Sequence, residues 1–524
     1  MNSSSGNPKW LKGRGYLHVT PKINVIARTN ELISKVTNPA FVVRHAFFPL
    51  IHSVIKERKY KKHPENNKVR GHSYFHKGEY KQSTKNRPLH YATHIDALIF
   101  GHYAEILLNL YEENLHQHKG LSDSIIAYRK ITGDNGISGK GTINFAHEVF
   151  NTIIERTQDD CAVLMFDIKS FFSELDHTIL KKAWRDLMKL KTLPQDHFNV
   201  FKAATHFKYI LRDELRIKGK IGGRRNGFDE RKLAGIRKEH GKESFFESEK
   251  DLRMAIENKQ IKIYQKQFVK NGIPVGIPQG LPISAVLANL YLYCFDLAVL
   301  ETIVNGKGAF YRRYSDDILI ICKRADIEQI KQFVKEEIEK SKLSISEEKT
   351  ETYIFQKKTN GEDKQEIISS YLQLKDGALV NKPLTYLGFE FHGNKELIKS
   401  ANLAKFYRRM IYAVKRKAVR AIKIAEKTGS NPVIFRGRLK RLYSRLKLST
   451  HTQKRRFKKL ELKANGFYDY HFFKKQSKKT SNYFSYVKRA GKIMDEPSIE
   501  KQLRKHNAIF NAAIAKHLRK TRRS

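Results

Sequence analysis

Acidic residues are scarce in this chain. Against 101 Lys and Arg stand 53 Asp and Glu, a formal net charge of +48 over 524 residues. Cysteine is scarcer still. Cys161, Cys294 and Cys322 lie scattered in apolar runs, which excludes a disulfide framework and a cysteine-built zinc site and fits a reducing, cytoplasmic setting. No apolar run reaches the roughly 18 residues that a membrane span needs, so no membrane partner is expected. The opening MNSSSGNPKWLKGRGYL lacks the apolar centre of a secretory leader, and none is expected. No internal repeat is present.

The positive charge is uneven. Residues 1–90 carry 18 basic and 4 acidic side chains, residues 401–524 carry 36 and 6, and the stretch between has 47 and 43. A near-neutral centre is thus flanked by two cationic arms. Clustered Lys and Arg neutralise phosphates and release counterions, so the expected partner is nucleic acid.

The length allows two to four domains, and four segments can be drawn. Residues 1–90 are basic, broken by Gly and Pro, and read as an extension wrapped on the main body. Helical spacing follows over 90–115, which would put His90 and His94 four apart on a helix with Asp96 nearby. A metal site is conceivable there, but a plain helix face is the simpler reading. IIAYRKI (125–131) reads as a short strand and 143–157 as a helix. CAVLMFD (161–167) has the continuous apolar pattern of a buried strand. Residues 211–265 look like a charged insertion. GIPVGIPQGLPIS (272–284) is a loop feeding an apolar helix. Two short strands, 309–314 and 318–323, flank SDD, an amphipathic helix spans 325–341, and 386–393 is another strand or hairpin. Apolar residues at 403, 406, 410, 414, 418 and 422 predict one long helix over 401–427, stopped by Gly429 and Pro432. The remainder is read as helical, basic and interleaved with aromatics.

Asp316 and Asp317 interrupt two β-prone runs, which predicts a hairpin with acids at its turn. Asp167 ends a separate buried strand. Three carboxylates at neighbouring strand ends repel one another unless cations lie among them, and hard oxygen donors suit Mg²⁺, with Mn²⁺ as a substitute. Two such ions serve in-line phosphoryl displacement at a 3′-hydroxyl.

FDIKSFFSELDH, GIPQGLPISAVLANLYL, YSDD, LSISEEKTE and YLGFEF follow one another along the chain. In order and spacing they resemble motifs A to E of reverse transcriptases, over about residues 90–395. The resemblance implies an α+β right-hand polymerase: fingers and a palm with an antiparallel sheet over 91–395, then an α-helical thumb (396–432) and a basic α-helical C-terminal domain (433–524). It makes Asp167, Asp316 and Asp317 the metal ligands, with the Ile168 carbonyl beside them. Phe172 would be the steric gate whose ring leaves no room for a 2′-hydroxyl. Pro278, Gln279 and Gly280 would form the loop against the incoming nucleotide. Lys349 would be the proton donor to pyrophosphate. Arg129, Lys130 and Lys140 are expected to grip the triphosphate, Arg129 foremost.

A phenylalanine at 172 and YSDD in place of GDD favour deoxynucleotides. The upstream blocks HYATHID and AYRKI and the stand-alone layout resemble bacterial "unknown group" and abortive-infection reverse transcriptases. That resemblance implies RNA-directed DNA synthesis on a dedicated noncoding RNA in antiphage defence, with a DNA product and, in several members, a homo-oligomer. Some members prime on a protein hydroxyl, for which Tyr468, Tyr470, Tyr483 and Tyr486 are candidates, although base stacking or core packing is the simpler role for each. The competing readings are an intron-type maturase and a non-catalytic RNA-binding protein; the intact acids and Gln279 oppose the latter.

Overall fold

The computed structural model describes residues 7–16, 18–58, 61–63, 70–76, 79–82, 84–133, 136, 139–157, 161–212, 214–215, 244–246, 248–265, 268–359, 366–374, 376–444, 454–462, 468–476 and 481–519. At its centre is a six-stranded antiparallel sheet. Its strands run, edge to edge, Phe310–Tyr314, Asp317–Cys322, Cys161–Asp167, Glu351–Thr359, Glu366–Gln373 and Leu379–Asn381. Ala162, Leu164 and Phe166 enter the core on one face, and Cys161 and Val163 the core on the other. Ile318 and Ile320 divide from Leu319 and Ile321 in the same way. A sheet covered on both faces needs apolar side chains on both, so these strands are unbroken apolar runs rather than alternating ones.

The first core is filled by the helix His94–His116, by Trp184 and by the apolar helix Ser284–Tyr291. Trp184 is completely buried, and its replacement by alanine costs about 3–5 kcal/mol. The second core lies beneath the helix Thr142–Arg156, the three-stranded sheet Leu384–Tyr386, Phe389–Phe391 and Glu396–Ile398, and the helix Tyr483–Ile493. The helix Ser400–Thr428 buries Leu403, Phe406, Met410, Val414 and Ala418, and ends at Gly429 in the left-handed region. Its lower half packs on Phe510 and Ile514 of the helix His506–Arg519. Among the described residues no single helix is long and apolar enough to cross a membrane. The bent apolar pair Ser284–Tyr291 and Tyr293–Asn305 passes on length and composition together, but most of its apolar residues lie in the first core.

Several expectations change. Residues 1–90 are not an appendage: Trp10, Leu32, Val36, Val42 and Leu50 belong to the first core. The strand Leu50–Arg58 pairs antiparallel with Thr84–Tyr91 and parallel with Tyr209–Leu211. The helix expected over 90–115 begins only at His94, so His90 lies in a strand and the two histidines share no helix face. Residues 125–131 contribute an isolated bridge, Ile125 to Arg313, in place of a strand. The region 433–524 is not wholly helical, since Lys454–Leu462 and Tyr468–Gln476 form an antiparallel hairpin. The centre of the expected insertion, 216–243, lies outside the described residues.

The N-terminal hairpin reaches across the molecule. On its Glu57–Lys85 rung, Glu57 meets Lys405 of the long helix at 3.0 Å and Arg87 at 3.6 Å. On the far side of the second core, His147 Nδ1 lies 3.1 Å from the Glu396 carboxylate. This hydrogen bond raises His147 above the ordinary histidine value against the opposing effect of burial, and Glu148 and Asp495 add to it. A raised folded value means stability that is full below the unfolded value near 6.5 and is lost as pH rises through the folded one. The melting temperature of the wild type is therefore expected to fall more steeply between pH 6 and 8 than that of His147→Gln. Equal slopes in parallel melts would remove this bridge from the account.

Candidate active site

Strand register brings the acids together. Asp317 begins its strand and lies directly across from Asp167, the last residue of the neighbouring one. Ser315 and Asp316 make the two-residue turn between Tyr314 and Asp317. The Asp316 carbonyl accepts the Ile168 amide at 3.2 Å, tying the turn to the adjoining strand. The Asp167 carbonyl accepts the Ser346 amide at 2.8 Å, tying that strand to the segment carrying Lys349. Asp167, Ile168, Asp316, Asp317 and Lys349 thus converge.

The turn is strained and held. Ser315 is buried with φ of 61°, in the left-handed region that costs a non-glycine residue about 1–2 kcal/mol. Tyr128, itself at φ of 63°, donates from its hydroxyl to Ser315 Oγ at 3.3 Å. Arg313 donates to the Ser315 carbonyl at 3.1 Å. Arg313 and Asp296 are fully buried and form a two-pronged pair, at 2.7 Å from Nε and 2.5 Å from Nη2. Burial alone would lower the Arg313 pKa; the Asp296 charge and its hydrogen bonds outweigh that and raise it. Tyr311 donates to Asp296 at 2.6 Å, and Asn289 Nδ2 donates to the Ala127 carbonyl at 2.9 Å. Sequence reasoning missed Arg313, Asp296 and Asn289. The signal was present: Asn289 and Asp296 are polar residues seven apart in an otherwise apolar helical stretch, a spacing that puts them on one face.

Electrostatics at the acids favour added positive charge. Burial first, then Asp316 and Asp167, push Asp317 up to about 6, although its side chain opens to the cleft; Lys349 and Lys85 act in the other direction. Asp316 is also raised, chiefly by burial. Lys349 Nζ contacts Asp167 Oδ2 at 2.5 Å. Among the described residues no group of three or more His, Cys, Asp or Glu side chains is placed so that it could hold a metal ion. The donor chemistry nevertheless fits a hard divalent cation, because three crowded carboxylates supply only oxygen and gain most from a compact positive charge.

The Gly/Pro loop is pinned from two sides. Gly276 and Ile277 donate to the carbonyls of Leu175 and Phe172 at 2.7 and 2.8 Å, and the Gln279 carbonyl accepts the His90 amide at 2.8 Å. Gly276 has φ of 77°, and a Cβ there would lie 2.6 Å from the Ser173 carbonyl; one at Gly280 would lie 2.6 Å from that of His90. Pro278 is buried and its carbonyl accepts from Ser284 Oγ, while Gln279 is half-buried. Phe171 is buried in the first core, whereas Phe172 is half-buried at its margin.

The expected triphosphate grip is not assembled. Arg129 is 1 % exposed, holds Glu112 with two prongs at 2.7 and 2.5 Å and donates to the carbonyls of Ser122 and Ile125. Two of its donors fasten this segment to Glu112 of the helix His94–His116 and the other three bond Ser122 and Ile125, which leaves none for a phosphate. Lys140 pairs with Glu148 at 2.7 Å and lines a cavity of about 390 Å³ with Phe145, Phe310 and Arg312. Lys130 is exposed. Of the candidate priming tyrosines, Tyr483 stacks on Phe406 at 4.4 Å and Tyr486 packs against the second core; the side chains of Tyr468 and Tyr470 lie outside the described residues.

The carboxylates thus lie at the ends of neighbouring strands of the antiparallel sheet, beside a pinned Gly/Pro loop. Residues 243–391 match the family model described as reverse transcriptase (RNA-dependent DNA polymerase). The matched segment includes Gln279, Asp316, Asp317 and Lys349 and begins after Asp167. No curated protein matches the chain. Among solved structures it is similar to apo telomerase from Candida tropicalis truncated from its C-terminal domain, at 11% identity and a TM-score of 0.34 over 61% of this chain and 53% of that one. It is also similar to telomerase from Candida albicans in complex with a TWJ fragment of telomeric RNA, at 10% identity and a TM-score of 0.32 over 74% and 54%. The chain spans about half the length of these telomerase chains.

Arg313→Met alone strands the buried Asp296 charge and is expected to cost about 3–5 kcal/mol in denaturant melts. Arg313→Met with Asp296→Leu removes both charges and should regain most of that loss. In the double variant the Ser315 carbonyl still lacks its donor, so amide exchange at 315–317 stays fast. Protection equal to wild type would show that the pair does not hold the turn.

Proposed function

We propose that the protein is an RNA-directed DNA polymerase that adds deoxynucleotides to a growing 3′ end. The observation that carries this reading is the cross-strand pairing of Asp317 with Asp167 beside the Ser315–Asp316 turn, a turn that lies within the segment matching the reverse transcriptase model. In the reaction a hydroxyl oxygen bonds to the α-phosphorus, the bond to the bridging oxygen breaks, and pyrophosphate leaves.

Asp167, Asp316 and Asp317, with the Ile168 carbonyl, would hold two Mg²⁺. Bound there, the ions supply activation of the attacking hydroxyl and neutralisation of the leaving group. The chain's own residues do the rest. Lys349, exposed and already among the acids, is suited to give the pyrophosphate its proton. The half-buried Phe172, held through its carbonyl by the loop, is suited to exclude a 2′-hydroxyl. Pro278, Gln279 and Gly280 lie in the pinned loop, where a base pair would rest. Lys130 becomes the foremost candidate for the triphosphate, with Arg129 withdrawn and Lys140 engaged by Glu148.

The template is proposed to be a companion noncoding RNA, and the setting antiphage defence. The resemblance of HYATHID, AYRKI and the stand-alone layout to bacterial defence enzymes supports this, as do the two cationic arms.

The test takes purified protein with its retained nucleic acid, adds Mg²⁺ and labelled dNTPs or rNTPs, and sequences product and bound RNA together. Deoxynucleotide incorporation is expected, falling by at least about 10³-fold in Asp316→Ala/Asp317→Ala, with product complementary to one bound RNA. Incorporation that persists in the double variant would refute the assignment of the acids. Preference for rNTPs would refute the role of Phe172.

A further inference from the structure

After the long helix the chain forms an irregular knuckle. Gly429 ends the helix, residues 430–436 run without helix or strand, and the short helix Gly437–Tyr443 follows. Ile434 is 8 % exposed and is buried in a cluster with Met410, Val414, Leu439 and Phe510. Its neighbours face outward: Val433 is 62 % and Phe435 82 % exposed. A lone exposed ring is ordinary in itself, so its surroundings must decide what it does.

Those surroundings are cationic without compensation. Arg436, Arg438, Lys440 and Arg441 are all exposed, and among the described residues none forms an ion pair. The chain has no acidic residue between Glu426 and Glu461. Docking a second copy on this face would bring two such clusters together, and like charges at close range oppose that. A nucleic-acid strand meets both features, with a phosphate at every nucleotide and a π-face on every base.

We propose that the knuckle 433–441 is a binding site for single-stranded nucleic acid, in which Phe435 stacks on a base and Arg436, Arg438, Lys440 and Arg441 take the flanking phosphates. The site rests on the nucleic-acid partner of the proposed function but on none of its chemistry. A duplex, whose bases are already stacked, gives Phe435 nothing to cover.

Full-length Phe435→Trp tests this directly. The two native tryptophans, Trp10 and Trp184, are buried at 7 % and 0 % exposure, so the added indole reports on the knuckle. It is titrated with short mixed-sequence RNA and DNA single strands and with the matching duplex, without nucleotides or divalent ions. Quenching by single strands and little by duplex is expected. Affinity should stay within about twofold of wild type in Phe435→Trp and fall about tenfold in Phe435→Ala. Quenching by RNA alone marks a template or companion strand, by DNA alone a product strand, and by both a site blind to the sugar; each supports the proposal. A strand that binds while the indole emission stays unchanged overturns it, as does Phe435→Ala binding like wild type. An emission blue shift that grows with protein concentration before any strand is added assigns the face to a second copy and also overturns it. The titration is repeated on Asp316→Ala/Asp317→Ala. Quenching there without polymerisation separates the knuckle from the catalytic reading, and polymerisation by wild type without quenching refutes the knuckle alone.

Discussion

Desolvating the Arg313 and Asp296 charges costs on the order of several kcal/mol per ion, and only close geometry with further hydrogen bonds offsets it. The network supplies both: two prongs between the ions, the Tyr311 hydroxyl on the carboxylate, and the Ser315 carbonyl on the guanidinium. That last bond links stability to the site. Ser315 holds a left-handed conformation that its own side chain disfavours, and Asp316 and Asp317 take their positions from it. A neutral, well-packed core at 296 and 313 could be as stable as this one. It could not reach out and hold the turn.

The acids were legible from sequence because strand chemistry is local. Apolar runs that end in carboxylates force those carboxylates to strand ends, and strand ends in one sheet meet. The long helix was legible for a similar reason, since its spacing persists for many turns and a glycine stops it. The fate of Arg129 was not legible. An arginine in a basic loop looks available until its partner is known, and Glu112 lies on another element. The strand expected at 125–131 failed likewise: Ile125 is buried in the first core and bridges Arg313, but the bridge is isolated and the segment does not continue as a strand. The hairpin at 454–476 was hidden by its charge, because dense Lys and Arg mask β periodicity.

The two cationic arms turn out to differ in kind. The N-terminal one supplies core residues and strands, and Lys56, Lys85 and Arg87 of its charge lie on a hairpin. The C-terminal one carries its charge on the solvent side of the long helix and on the knuckle beyond it. Each places positive groups around a near-neutral centre whose principal local charge is negative. Phosphates are thereby attracted to the rim, and the acids keep their own cation, Lys349, until something more compact replaces it.

The rung that joins Glu57 to Lys405 also carries Lys85, whose charge acts on Asp316 and Asp317. The hairpin is thus tied to the long helix through one residue of the rung and bears electrostatically on the acids through the other. The tie is an exposed ion pair, of the kind that contributes about 0–1 kcal/mol, so added salt weakens the hold of the hairpin on the long helix and screens the influence of Lys85 on the acids together.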